Sequence, residues 1–109
     1  MSRHDVRKTL QQMLDHAREA VTLAQGKARE DLDNDRTFEL ALARLLEIIG
    51  EAADRIPTEF QMEHPEIEWA QIISFRNRLI HGYDSIDFDI MWAILQSDLP
   101  DLVGKLERL

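Results

Sequence analysis

With 109 residues, a formal net charge of −8 and no cysteine, the chain is long enough for one hydrophobic core and little more. These figures exclude a disulfide framework and a thiolate zinc site, and they argue against a general nucleic-acid binder, which carries a basic patch. The N-terminus, Met1-Ser2-Arg3-His4-Asp5-Val6-Arg7-Lys8, lacks the apolar core of a signal peptide, and no window approaches the roughly 20 apolar residues that span a bilayer, so a soluble cytoplasmic protein is expected.

Helical periodicity runs through almost the whole chain. Val6, Leu10, Met13, Leu14, Ala17, Val21 and Ala24 recur at three- and four-residue steps and predict a first helix from Asp5, as N-cap, to about Ala28, with Gly26 weakening its last turn. The polar run Glu30-Asp31-Leu32-Asp33-Asn34-Asp35 reads as a connection, and Asn34 or Asp35 is placed to cap the next helix.

A second helix is predicted from about Arg36 to Arg55, where Pro57 disfavours helical geometry in the residue before it. Its stripe of Phe38, Leu42, Leu45, Leu46, Ile49, Ala52, Ala53 and Ile56 is widened by Leu40, Ala43 and Ile48, which suggests contact with several neighbours or with a second subunit. Gly50 costs this helix about 1 kcal/mol relative to alanine, so the close approach of another helix is its expected reason.

Thr58 to Met62 suits one further turn, and a third major helix is predicted from about Glu66 to His81, with Gly82 as a left-handed residue ending it. Ser85 or Asp87 is placed to cap a fourth helix carrying Phe88, Met91, Trp92, Ile94 and Leu95. Pro100 requires either a new segment starting at Asp98 or a kink, after which Leu102, Val103, Leu106 and Leu109 continue the apolar face. The expected fold is all-α: an antiparallel up-and-down bundle of four to five helices in a single domain spanning residues 1–109.

The chemistry concentrates in Arg76-Asn77-Arg78-Leu79-Ile80-His81-Gly82-Tyr83. Arginine is a permanent cation whose planar fork matches phosphate oxygens, and histidine exchanges protons near neutral pH. Arg76, Arg78 and His81 form a local positive island in an acidic chain whose overall charge reads first as a solubility device and second as a complement to a basic partner. Such a set suffices for metal-free cleavage of RNA. His81 would move the proton of an attacking 2′-hydroxyl, Arg76 would stabilise the phosphorane oxygens, Asn77 would orient phosphate or ribose, and Arg78 would bind a flanking phosphate.

Five residues separate Arg76 from His81, about 7.5 Å of rise and roughly 140° of rotation on a regular helix. One helix therefore does not aim both at one atom, whereas two copies about a two-fold axis bring both pairs to one groove. Each residue also fits a plainer role. His81 suits a helix C-terminal cap, Arg76 suits an ion pair with Glu47, Glu51 or another carboxylate of the second helix, Arg78 suits a solvated position, and Tyr83 suits a packed phenol. His4, His16 and His64 have no metal-ligand spacing with nearby carboxylates, and neither a metal site nor a cofactor is expected.

Arg76-Asn77-x3-His81-x-Tyr83 resembles the R-polar-x3-H-x-Y signature of HEPN-domain proteins, specifically the HepT-like toxins of prokaryotic toxin–antitoxin pairs. The likeness extends to Leu46-Glu47-Ile48-Ile49-Gly50-Glu51-Ala52-Ala53, to Ile67-Glu68-Trp69-Ala70-Gln71-Ile72-Ile73, and to Ile86-Asp87 with Trp92, Ile94 and Asp98-Leu99-Pro100. It implies an all-α homodimer acting as a metal-independent endoribonuclease toxin of a type VII-like pair, with Arg76 and His81 as the catalytic pair and Asn77 beside them. It further implies an antitoxin of the minimal nucleotidyltransferase (MNT) type that transfers AMP to Tyr83. A non-catalytic helical adaptor serving such a transferase shares the fold and is the rival reading.

Overall fold

The computed structural model describes residues 1–109, and every regular element in it is helical. The α-helices are α1 (Arg3–Leu23), α2 (Asp31–Asn34), α3 (Arg36–Arg55), α4 (Thr58–Glu63), α5 (Trp69–His81), α6 (Phe88–Ala93) and α7 (Leu99–Glu107). A 3₁₀ turn, Tyr83–Ser85, comes after α5, and a π-helical turn, Ile94–Asp98, joins α6 to α7. α3 lies between α1 and α5, and α7 packs on α1. With α6, the π turn and α7 running on without a break, this is the expected all-α up-and-down bundle. No helix is long and apolar enough to cross a membrane.

Local chemistry sets the ends of the helices. Ser2, not Asp5, caps α1: its Oγ accepts the Asp5 N–H at 3.1 Å while Asp5 Oδ2 accepts the Ser2 N–H at 3.2 Å, a reciprocal capping box. α1 stops at Leu23, short of Ala28, because the chain turns through Gly26 at a φ of 77°, where only glycine is unstrained. The polar run after it is more than a connection. Asp31 accepts the Ala28 N–H at 2.7 Å and Leu32 is driven into the core, which together fold α2. Asp35 caps α3 by accepting the Phe38 N–H at 3.1 Å.

α5 begins at Trp69 rather than Glu66, since buried Ile67 and the indole of Trp69, which donates to the His64 carbonyl at 2.9 Å, fix the preceding residues as a turn. Gly82 is not left-handed. Its φ is −152°, its N–H still reaches the Arg78 carbonyl, and the chain passes directly into the 3₁₀ turn. Asp87 caps α6 through the Asp89 N–H at 2.8 Å. The π turn accommodates Pro100, whose ring conflicts with the carbonyl four residues back in a regular helix, and the proline falls in the first turn of α7 where no N–H is required.

The bundle positions the motif through one crossing. A Cβ built on Gly50 of α3 would stand 2.3 Å from Arg76 Cβ, 2.7 Å from Arg76 Cγ and 3.3 Å from the Ile72 carbonyl oxygen. α5 therefore lies directly on the glycine backbone, with the Arg76 stem over it. Gly50→Ala gains about 1 kcal/mol of helix propensity but overpacks the crossing by about 1–3 kcal/mol and displaces Arg76. Urea unfolding monitored by circular dichroism should show a net loss of stability; an unchanged or raised midpoint contradicts the crossing.

Candidate active site

Arg76 leaves the crossing along the edge of α3, where its Nη2 donates to Asp54 Oδ2 at 2.8 Å. Its side chain is 14% exposed, whereas Asp54 is more than half exposed. The pair thus lies at the rim of the bundle, with the stem inside and the carboxylate at the surface. The Nε–H is buried and has no hydrogen-bond partner. Buried donors are nearly always paired, so this orphan marks a guanidinium held in place by packing rather than by a full set of bonds.

His81 is the last residue of α5 and is exposed, as are Asn77 and Arg78. Within one chain, the partner of Arg76 is Asp54 rather than His81. The acidic neighbour anticipated for Arg76 on the second helix is therefore Asp54; Glu47 and Glu51 instead accept from Arg44, at 3.5 and 3.4 Å. Arg78 borders an apolar groove of about 560 Å³ that runs between α5 and the C-terminal helices, shared with Phe75, Ile94 and Lys105. No three histidine, aspartate or glutamate side chains gather as metal ligands would.

Tyr83 turns inward. The 3₁₀ turn brings its ring against the N-terminal part of α3, where the hydroxyl donates a hydrogen bond to Glu39 Oε2. Glu39 is 5% exposed, and Arg36, one turn earlier and largely in solvent, donates to its two oxygens at 3.2 and 3.0 Å. Burial of the phenol, the bond to Glu39 and the charge of Glu39 together raise the Tyr83 pKa well above its usual 10.0, against a smaller opposing effect of Arg36.

Glu39 is not among the residues that the motif singles out. Its signal is in the sequence nonetheless: it occupies a position on the apolar stripe of α3, three and four residues before Leu42 and Ala43, where a carboxylate is costly unless paired. Asp54, by contrast, sits at an ordinary solvated helix position and carries no signal before the fold is known.

Residues 13–109 match the family described as Ribonuclease HepT-like. The chain belongs to that family. It is 39% identical over 100 residues to a Thermococcus cleftensis protein named "Probable ribonuclease HepT", covering 88% of this chain and 91% of that one. It is 32% identical over 107 residues to a Methanocaldococcus jannaschii protein named "Putative RNase", with 98% of each covered. A similarly named protein of Caldanaerobacter subterraneus is 30% identical over 103 residues, covering 94% of this chain and 92% of that one. No solved structure matches.

Tyr83 is the sole tyrosine of this HepT-like chain, so ultraviolet titration near the tyrosinate band reads one group. Ionisation is expected well above pH 10, and Glu39→Gln should move it downward by removing the adjacent charge. Because the folded-state pKa lies above the unfolded one, the stability this phenol contributes is fully present below about pH 10 and is lost as pH rises beyond it. A Glu39→Gln titration that coincides with the wild type contradicts the assignment.

Proposed function

We propose that this HepT-like protein is the toxin of a prokaryotic toxin–antitoxin pair: a metal-independent endoribonuclease that works as a homodimer through Arg76 and His81 and is silenced by AMP transfer to Tyr83. One observation carries the reading. In a chain that belongs to a ribonuclease family, a largely covered guanidinium and an exposed imidazole stand on one helix, α5, five residues apart.

Each of the two groups has its own task in cleavage. His81 takes the proton from the 2′-hydroxyl, the oxygen attacks the neighbouring phosphorus, and negative charge grows on the phosphorane oxygens. The bond to the 5′-oxygen breaks as that oxygen takes a proton from the His81 imidazolium or water and leaves as an alcohol. A guanidinium fixed beforehand by Gly50 and Asp54 stabilises that charge without reorganising at the moment of reaction. Asn77 and Arg78, both exposed on the same helix, support the phosphate and its neighbour on the strand.

Dimerisation supplies what one helix lacks. Leu40 of α3 and Ile80 of α5 are each 45% exposed, so both helices of the crossing present a large apolar side chain to solvent. A two-fold contact through these helices covers those side chains and sets the Arg76 and His81 of both copies along one groove. An AMP group on Tyr83 places a phosphate next to this cationic groove, where it competes with RNA and repels it.

A second reading, a non-catalytic adaptor that serves a nucleotidyltransferase, draws on the same geometry, since Arg76 is mostly covered and already engaged by Asp54. Activity separates the two. Purified protein, shown by intact mass to be unmodified, should cleave RNA in EDTA and leave 2′,3′-cyclic phosphate ends. Arg76→Ala and His81→Ala should each slow cleavage by about 10²-fold or more. Undiminished cleavage in both variants rejects the catalytic assignment, and no cleavage by the wild type favours the adaptor.

Tyr83→Phe should keep ribonuclease activity and escape modification when co-expressed with an MNT-type transferase. Intact mass decides this: an AMP adduct on the phenylalanine variant removes Tyr83 as the acceptor.

A further inference from the structure

The contact between Tyr83 and Glu39 is built at some cost. A carboxylate is held on the apolar stripe of α3, 5% exposed, between the largely solvated Arg36 and the partly buried phenol of Tyr83. Nothing in RNA cleavage by Arg76 and His81 calls for this arrangement, and a packed phenol needs only a backbone carbonyl or solvent for its hydroxyl. We propose that Glu39 is the general base of its own chain's modification: it accepts the phenolic proton of Tyr83 as that oxygen attacks the α-phosphorus of a nucleoside triphosphate. The inference rests on the reading of Tyr83 as the AMP acceptor.

A neutral phenol is a poor nucleophile at physiological pH, and its surroundings here make direct ionisation harder still. A base already bonded to the hydroxyl removes that obstacle, because the proton leaves only as the new bond forms. The Tyr83 Oη–phosphorus bond forms, the bond from that phosphorus to the bridging oxygen breaks, pyrophosphate departs with its Mg²⁺, and the proton passes to Glu39 Oε2 and then to water. Arg36, donating to both carboxylate oxygens, keeps Glu39 turned toward the phenol. The charged groups that act on the phenol are Glu39, Arg36 and Glu47, all from α3. The acceptor chain, not the transferase, thus supplies the base.

The test compares wild type with Glu39→Gln in the presence of ATP, Mg²⁺ and an MNT-type nucleotidyltransferase, with AMP addition monitored by intact mass from pH 7 to 9. Glutamine still accepts the phenol's hydrogen bond but cannot take its proton. Modification of Glu39→Gln should be about 10²-fold slower at pH 7.5 and should recover tenfold per pH unit, as only spontaneously ionised phenol reacts, while the wild-type rate stays nearly flat. Modification of Glu39→Gln at the wild-type rate or faster makes Glu39 a mere clamp and overturns the proposal. A uniform slowing with the wild-type pH profile also overturns it, leaving Glu39 as a positioning residue. Should Glu39→Gln fail to fold, the wild-type profile alone decides: a flat rate supports the base, and a tenfold rise per pH unit excludes it. A wild type that acquires no AMP overturns both this inference and the modification reading beneath it.

Discussion

The contact of α5 with the bare backbone of Gly50 sets the geometry of everything else in this molecule. Because no side chain intervenes, the Arg76 stem rests directly on α3 and its guanidinium reaches Asp54 one turn further along. The antiparallel pairing then carries the far end of α5 back toward the start of α3. There the chain leaves the helix through the Tyr83–Ser85 turn, and the phenol arrives beside Glu39. One helix crossing thus fixes a cation at one end of the interface and a hydroxyl–carboxylate pair at the other.

The electrostatics of the chain are local rather than global. A net charge of −8 is hostile to RNA as a whole, and α3, which packs against the motif, carries four carboxylates of its own. Its carboxylates are nonetheless engaged: Glu39 by Arg36, Glu47 and Glu51 by Arg44, and Asp54 by Arg76. Asn77, Arg78 and His81 are the exposed polar side chains toward the end of α5. Within a Debye length of about 8 Å at physiological salt, a phosphate meets those groups before it senses the remainder of the surface.

Much of the fold could be read from the order of residues. The stripe of Phe38, Leu42, Leu46, Ile49 and Ala53 predicts α3 to its ends, and Gly50 within it announces a close neighbour. The boundaries that escaped depend on interactions of a few residues that periodicity does not weigh. Ser2 and Asp5 cap α1 reciprocally, Gly26 turns the chain early, and Trp69 ties itself to His64. The site divides the same way. The Arg76–His81 spacing is visible as a pattern along one helix, but the partners of Arg76 and Tyr83 lie 22 and 44 residues away. Of those partners, Glu39 betrays itself by occupying an apolar position; Asp54 does not.

The bond from Tyr83 to Glu39 works in one direction. A free phenol has a proton to give, and an esterified phenol has none. Any substituent on that oxygen leaves the buried carboxylate facing an acceptor, with Arg36 as its remaining support, and the two oxygens must separate. The link between α5 and α6 then loses this hydrogen bond to α3, so chemistry at a single atom registers where that link meets the start of α3.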